Sequence, residues 1–126
     1  MTAKGLSSIW RLVNRTHIAL TFAGGFALVV WIFVFDRFIR RMCSHHRELW
    51  IAHGSPPGWI HVPQGASWFV GCLPRQRLIS EIAFSMPTWV AGDPVLRRQW
   101  LGMTASYLAL CSVILGMVGK ALLGRA

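Results

Sequence analysis

Acidic side chains are scarce in this chain: Asp36, Glu48, Glu81 and Asp93 stand against thirteen Lys and Arg in 126 residues. Such isolated carboxylates offer no close pair for general acid and base work. Cysteine is equally sparse. Cys43, Cys72 and Cys111 form no CxxC pair, and Cys111 sits inside an apolar stretch, so a disulfide framework is not indicated. No nucleophile–base pair, phosphate-binding loop, internal repeat or low-complexity tract appears. A non-enzymatic protein without a cofactor is expected.

The most informative absence is local. Ile18 to Phe35 and Trp100 to Gly119 contain no Asp, Glu, Lys or Arg, while eight of the thirteen basic residues lie between them. A helix of 18 or 20 residues spans roughly 27–30 Å, the hydrocarbon thickness of a bilayer. Soluble helices keep one polar face, and these blocks have none. The expected fold is an all-α membrane protein: two transmembrane helices, at 18–35 and 94–123, in a hairpin.

Lys4, Arg11 and Arg15 before the first block invite comparison with a cleaved signal peptide. The block is too long for one, and Asp36, Arg37, Arg40 and Arg41 follow it rather than a small-residue cleavage site. We read it as a retained span. The basic residues of the connection, six of them near a membrane boundary, place that segment in the cytoplasm by the positive-inside bias. Both termini, with Lys120 and Arg125 after the second span, then face the periplasm of a bacterial inner membrane.

A net charge of +9 in a soluble domain would raise nucleic acid as a partner. Arginines beside apolar spans favour anionic phospholipid instead, and no nucleic-acid partner is expected. Arg37, Arg40, Arg41, Arg97 and Arg98 should ring the cytoplasmic mouth of the hairpin as the anionic-lipid contacts. Trp10, Trp68, Trp89 and Trp100 are candidates for the headgroup layer.

Small residues at helical spacing mark helix contacts in lipid, where close backbone approach replaces the hydrophobic drive. Ala19, Ala23 and Ala27 recur in the first span; Gly102, Ser106, Ser112 and Gly116 recur in the second. One such face serves the partner span, and another suits a further membrane-protein subunit.

Along the chain, residues 1–17 read as an interfacial segment in which Ser7 or Ser8 caps a helix. The first span continues to about residue 50 as a stalk with Arg37, Arg40, Arg41 and Ser44 on one polar face. His53 to Gly58 breaks it. Within the 54–93 connection a short amphipathic helix is expected at about 75–86, with Leu78, Ile79, Ile82, Ala83 and Met86 on its apolar side. Arg75, Gln76, Ser80 and Glu81 fall opposite. Pro74 suits its first position, Arg77 and Glu81 are spaced to pair, and Pro87 ends it. Asp93 with Pro94 is the clearest helix start.

Cys43, His45, His46, His53 and His61 raise a second reading, a metal- or ligand-binding membrane sensor. Neighbouring ligands at Cys43-Ser44-His45-His46 fall on different helix faces, however, and lack zinc-site spacing. No metal ligand set is assigned. Neither block carries an ionisable residue of the kind that marks an ion path.

His53-Gly54-Ser55-Pro56 in mid-connection, together with Asp93, Leu96-Arg97-Arg98-Gln99 and Cys111, resembles the bacterial universal stress protein B family. That resemblance implies a small stress-associated protein with two terminal spans and no catalytic residues; the segment before Arg15 is longer than the family pattern. Ile9-Trp10-Arg11-Leu12-Val13-Asn14 followed by a span is similar to the start of light-harvesting α chains. Those chains hold pigment through a histidine in the span, where this sequence has Val30 to Val34. The implied role is that of a neighbour in an energy-transducing complex, respiratory or photosynthetic.

Overall fold

A computed structural model describes residues 2–124; Met1, Arg125 and Ala126, including the basic Arg125 after the second span, lie outside the described residues. Helices α1 (Ala3–His45), α2 (Arg47–Ala52), α3 (Cys72–Phe84), α4 (Thr88–Ala91) and α5 (Pro94–Leu123) follow in order. No strand occurs among the described residues. The first and last helices are long and apolar enough to cross a membrane.

α1 begins at Ala3, so Ser7 and Ser8 are not caps. Their hydroxyls donate back to the Lys4 and Gly5 carbonyls at 3.0 and 2.8 Å inside the helix. α1 runs 43 residues before His46, at φ −131°, interrupts it. The break predicted at His53 to Gly58 stands one short helix later, where Gly54 and Ser55 adopt φ of 83° and 53°. Asp93 caps α5 as read from the sequence: Val95 N–H donates to its Oδ1 at 2.9 Å, and Pro94 is the first helical residue.

The chain forms two compact units. In the first, residues 2–29 pack with 106–124. Gly24 and Ala27 are its buried positions, and a Cβ on Gly24 would stand 3.3 Å from Val113 Cγ1 and 3.8 Å from Leu110 Cδ1. The absent side chain is what lets the helices approach.

The second unit, Val30–Ala105, holds the core. The apolar side of the stalk, Phe35, Phe38, Ile39 and Met42, is fully buried against Trp50, Leu78, Val90 and Leu96. Burying one such side chain stabilises by about 1.5–3 kcal/mol, so the basic stalk is the centre of a packed body. Two indole N–H groups tie it together: Trp50 donates to the Pro56 carbonyl at 3.0 Å and Trp100 to the Ile82 carbonyl at 2.7 Å.

α3 corrects the sequence reading in three ways. It starts at Cys72, which makes Pro74 its third residue, and it ends at Phe84, three residues before Pro87. Arg75, expected on the solvent side, is buried with Leu78 and Ile82. Glu81 pairs with His53 at 3.2 Å rather than with Arg77. For Arg75 and Glu81 a tertiary neighbour outweighs the weak local preference that the spacing encodes.

Candidate membrane-interface site

Asp36 follows the first apolar block directly, yet only 8% of it is exposed. Burying a carboxylate costs several kcal/mol unless it is hydrogen-bonded. The connection supplies what is needed: backbone N–H groups of Trp59, Ile60 and His61 donate to Asp36 at 2.6, 3.1 and 3.2 Å. Charge-assisted bonds of this type are each worth about 1.5–3 kcal/mol, enough to hold the loop on the helix. Gly58 permits the approach, because a Cβ there would collide with Asp36 Oδ1 and stand 2.9 Å from the His61 carbonyl.

Arg75 closes the same loop from the other side. Its Nη1 donates to the Gly58 carbonyl at 3.4 Å, and its guanidinium carbon lies 3.9 Å from the Trp59 ring centre and 5.5 Å from that of Trp68. A desolvated cation–π contact contributes about 2 kcal/mol. The buried cation and the buried Asp36 carboxylate thus both hold the loop at one glycine. Trp59 itself stands 6.3 Å from Trp31, a residue of the first apolar block.

A second latch joins the end of α1 to the start of α5. Asp93 accepts from His46 Nε2 at 2.7 Å and from Arg41 Nε at 3.1 Å, and is only 6% exposed. The His46 hydrogen bond first, then those from Arg41 and Val95 N–H, hold its carboxyl well below the ordinary carboxylate range, although burial acts in the opposite direction. Arg41 Nη1 also reaches His45 Nε2 at 2.9 Å, which makes that nitrogen the acceptor and leaves Nδ1–H to face Ser44 Oγ at 2.8 Å.

Of the arginines assigned to lipid, Arg41 is therefore engaged by a protein carboxylate, a correction that follows from the cost of leaving buried Asp93 alone. Arg37, Arg40, Arg97 and Arg98 are exposed and form no ion pair with a described residue. Of the four tryptophans, Trp10 and Trp68 are exposed at 66% and 45%. Trp89 instead packs against Phe38 and His53, and Trp100 bonds to Ile82, so both belong in part to the packed unit.

The small residues divide as well. Ala27, Gly102 and Ser106 lie at least partly inward, with Gly102 facing Val34 at 3.6 Å from its Cβ position. Ala19, Ala23, Ser112 and Gly116 are exposed, and a Cβ on Gly116 would meet nothing within 4 Å. On α1 the buried positions are Gly24, one residue outside the predicted stripe, and Ala27 within it. A shallow groove of about 340 Å³ lies over Gly25 between Phe22 and Phe26.

Three of the five histidines, His45, His46 and His53, use their rings within the fold. His46 serves Asp93, and His53 bridges the Leu49 carbonyl at 2.8 Å and Glu81 at the rim of a cleft of about 350 Å³ with Arg77. Among the described residues no three His, Cys, Asp or Glu side chains gather in a way that would hold a metal ion. Sequence reasoning missed Asp36 and Arg75. A lone acid between a span and an arginine run was the available signal for the first. Comparison with protein-family models, with characterised proteins and with solved structures finds no match.

Proposed function

We propose that this is a non-catalytic integral membrane protein whose two apolar helices form a transmembrane hairpin and whose work is contact with anionic lipid and with other membrane subunits. One observation carries the reading. In the most apolar windows of α1 and α5 only 11% and 6% is buried by the rest of the protein. The core helix of a soluble protein would be mostly covered, and exposing this much apolar surface to water would cost tens of kcal/mol at about 25 cal/mol per Å². Lipid removes that cost.

Arg37, Arg40, Arg97 and Arg98 contact anionic headgroups on the cytoplasmic side, none of them ion-paired with a carboxylate among the described residues. The groove over Gly25 and the open face at Gly116 receive helices of a neighbouring subunit, which fits an accessory or stress-associated component of an energy-transducing assembly. Extraction in a mild detergent followed by mass spectrometry tests this. Co-purifying membrane subunits with retained anionic phospholipid are expected; a lone, lipid-free, well-folded monomer contradicts it.

A further inference from the structure

We propose that the loop tip Trp68-Phe69-Val70, with Leu73, inserts into the interfacial layer of the same bilayer that the spans cross, as a third, non-spanning membrane contact. The proposal rests on the two-span reading and adds a site to it. Phe69, Val70 and Leu73 are 82%, 80% and 67% exposed, and the Trp68 and Phe69 rings meet edge to face at 5.4 Å. These are the largest apolar side chains of a segment that the rest of the unit leaves uncovered, although the same unit buries ten other hydrophobic residues.

Three observations choose a membrane as the occupant. The first is continuity with the span. Trp59, in the same loop, meets Trp31 of the first apolar block at a tilt with ring centres 6.3 Å apart, and Trp59 to His61 are bonded to Asp36 at that block's end. The loop is therefore anchored at the level where hydrocarbon gives way to headgroups.

The second is charge. No Asp or Glu occurs between Glu48 and Glu81, while Arg75 and Arg77 follow the tip, so an anionic surface meets no repulsion. The third is presentation. A Cβ on Gly71 would collide with Pro57 Cδ and come within 2.5 Å of the Ser67 carbonyl, and Arg75 packs beneath Trp68. With Gly58 pinned to Asp36, the tip is held at both ends. An aromatic and aliphatic cluster on a fixed loop, backed by arginine, matches the chemistry of the interfacial zone.

The test uses the full chain with Cys43, Cys72 and Cys111 replaced by serine, and a single cysteine carrying an environment-sensitive fluorophore. Phe69→Cys, Val70→Cys, Gln64→Cys and Leu108→Cys are compared after reconstitution into vesicles of phosphatidylcholine and phosphatidylglycerol at 7:3. Labels at 69 and 70 should be quenched at least twofold more by lipids with a shallow quencher than by aqueous iodide, and the label at 64 should show the reverse. Leu108 lies in the second apolar block and reports the spans: loss of deep-lipid quenching there overturns the two-span reading itself. Deep quenching at 108 with iodide-accessible 69 and 70 overturns only the tip. Protection at 69 that disappears when protein is diluted tenfold into lipid identifies contact with a second copy and also overturns it. Because both tip residues are highly exposed, their replacement leaves the fold intact, which the unchanged signal at 108 verifies.

Discussion

Gly58 and Asp36 are 22 positions apart in sequence, yet the glycine lies so close to the carboxylate that any side chain at 58 would enter its space. The relationship explains how a loop rich in proline and glycine becomes ordered without regular secondary structure: the carboxylate substitutes for the strand or helix that would otherwise satisfy three successive backbone donors.

Replacing Asp36 by asparagine puts an amide NH₂ where the Trp59 N–H, or in the other orientation the Ile60 and His61 N–H groups, need an acceptor. Asp36→Asn should cost about 2–3 kcal/mol, and Gly58→Ala a similar amount through collision with the carboxylate and the His61 carbonyl. Hydrogen exchange in detergent checks both, with faster exchange at Trp59, Ile60 and His61 and little change in the helices around Val113.

Asp93 performs two tasks that one pair of substitutions separates. Asp93→Asn keeps the side-chain oxygen that caps Val95 but removes the charge facing His46 and Arg41, and should cost about 2 kcal/mol. Asp93→Ala loses the cap too, for about 1 kcal/mol more. Thermal unfolding of the two variants beside the parent reads the difference.

The same latch gives a pH dependence with a defined sign. Because the folded state holds the Asp93 carboxyl below its ordinary value of about 3.9, the unfolded chain binds the proton more readily. Stability from Asp93 is complete above that value and declines as pH falls below it. Denaturation followed from pH 6 to pH 2.5 should show an acid-side loss in the parent that is smaller in Asp93→Asn.

On the helices, Gly24→Leu should disrupt the fold, since a Cβ already stands 3.3 Å from Val113. Gly116→Leu should leave the monomer folded and release co-purifying subunits, because among the described residues nothing lies within 4 Å of a Cβ added there. Helicity and melting by circular dichroism, with a pull-down of each variant, discriminate the two behaviours.

Exchanging Arg37, Arg40, Arg97 and Arg98 together for glutamine should reduce retained anionic phospholipid severalfold after detergent extraction. Arg41→Gln should instead lower stability, since Arg41 is bonded to Asp93. Native mass spectrometry counts the bound lipids in each case.

What the sequence disclosed follows from how local each signal is. Two charge-free blocks, an Asp-Pro helix start and a His-Gly-Ser-Pro-Pro-Gly break are written in adjacent residues, and all three reappear in the structure. Arg75 was placed on the wrong side and Glu81 given the wrong partner because their partners, Gly58 with Trp59 and His53, lie 16 to 28 positions away, beyond any periodicity. Of the α1 stripe only Ala27 turned out buried, with Gly24 rather than Ala19 or Ala23 beside it, for a related reason. A contact seam is set by what the other helix presents, here Val113 and Leu110, and alanine spacing alone does not rank neighbouring faces.

The central claim is that two lipid-embedded helices carry a basic connection on the cytoplasmic side. Single cysteines at Ser7 and Gln64, both exposed, in the chain freed of its own cysteines, decide it most directly when intact bacterial cells expressing the protein are treated with a membrane-impermeant maleimide. The account predicts labelling at position 7 in intact cells and at position 64 only after the inner membrane is opened; labelling at 64 in intact cells would contradict it.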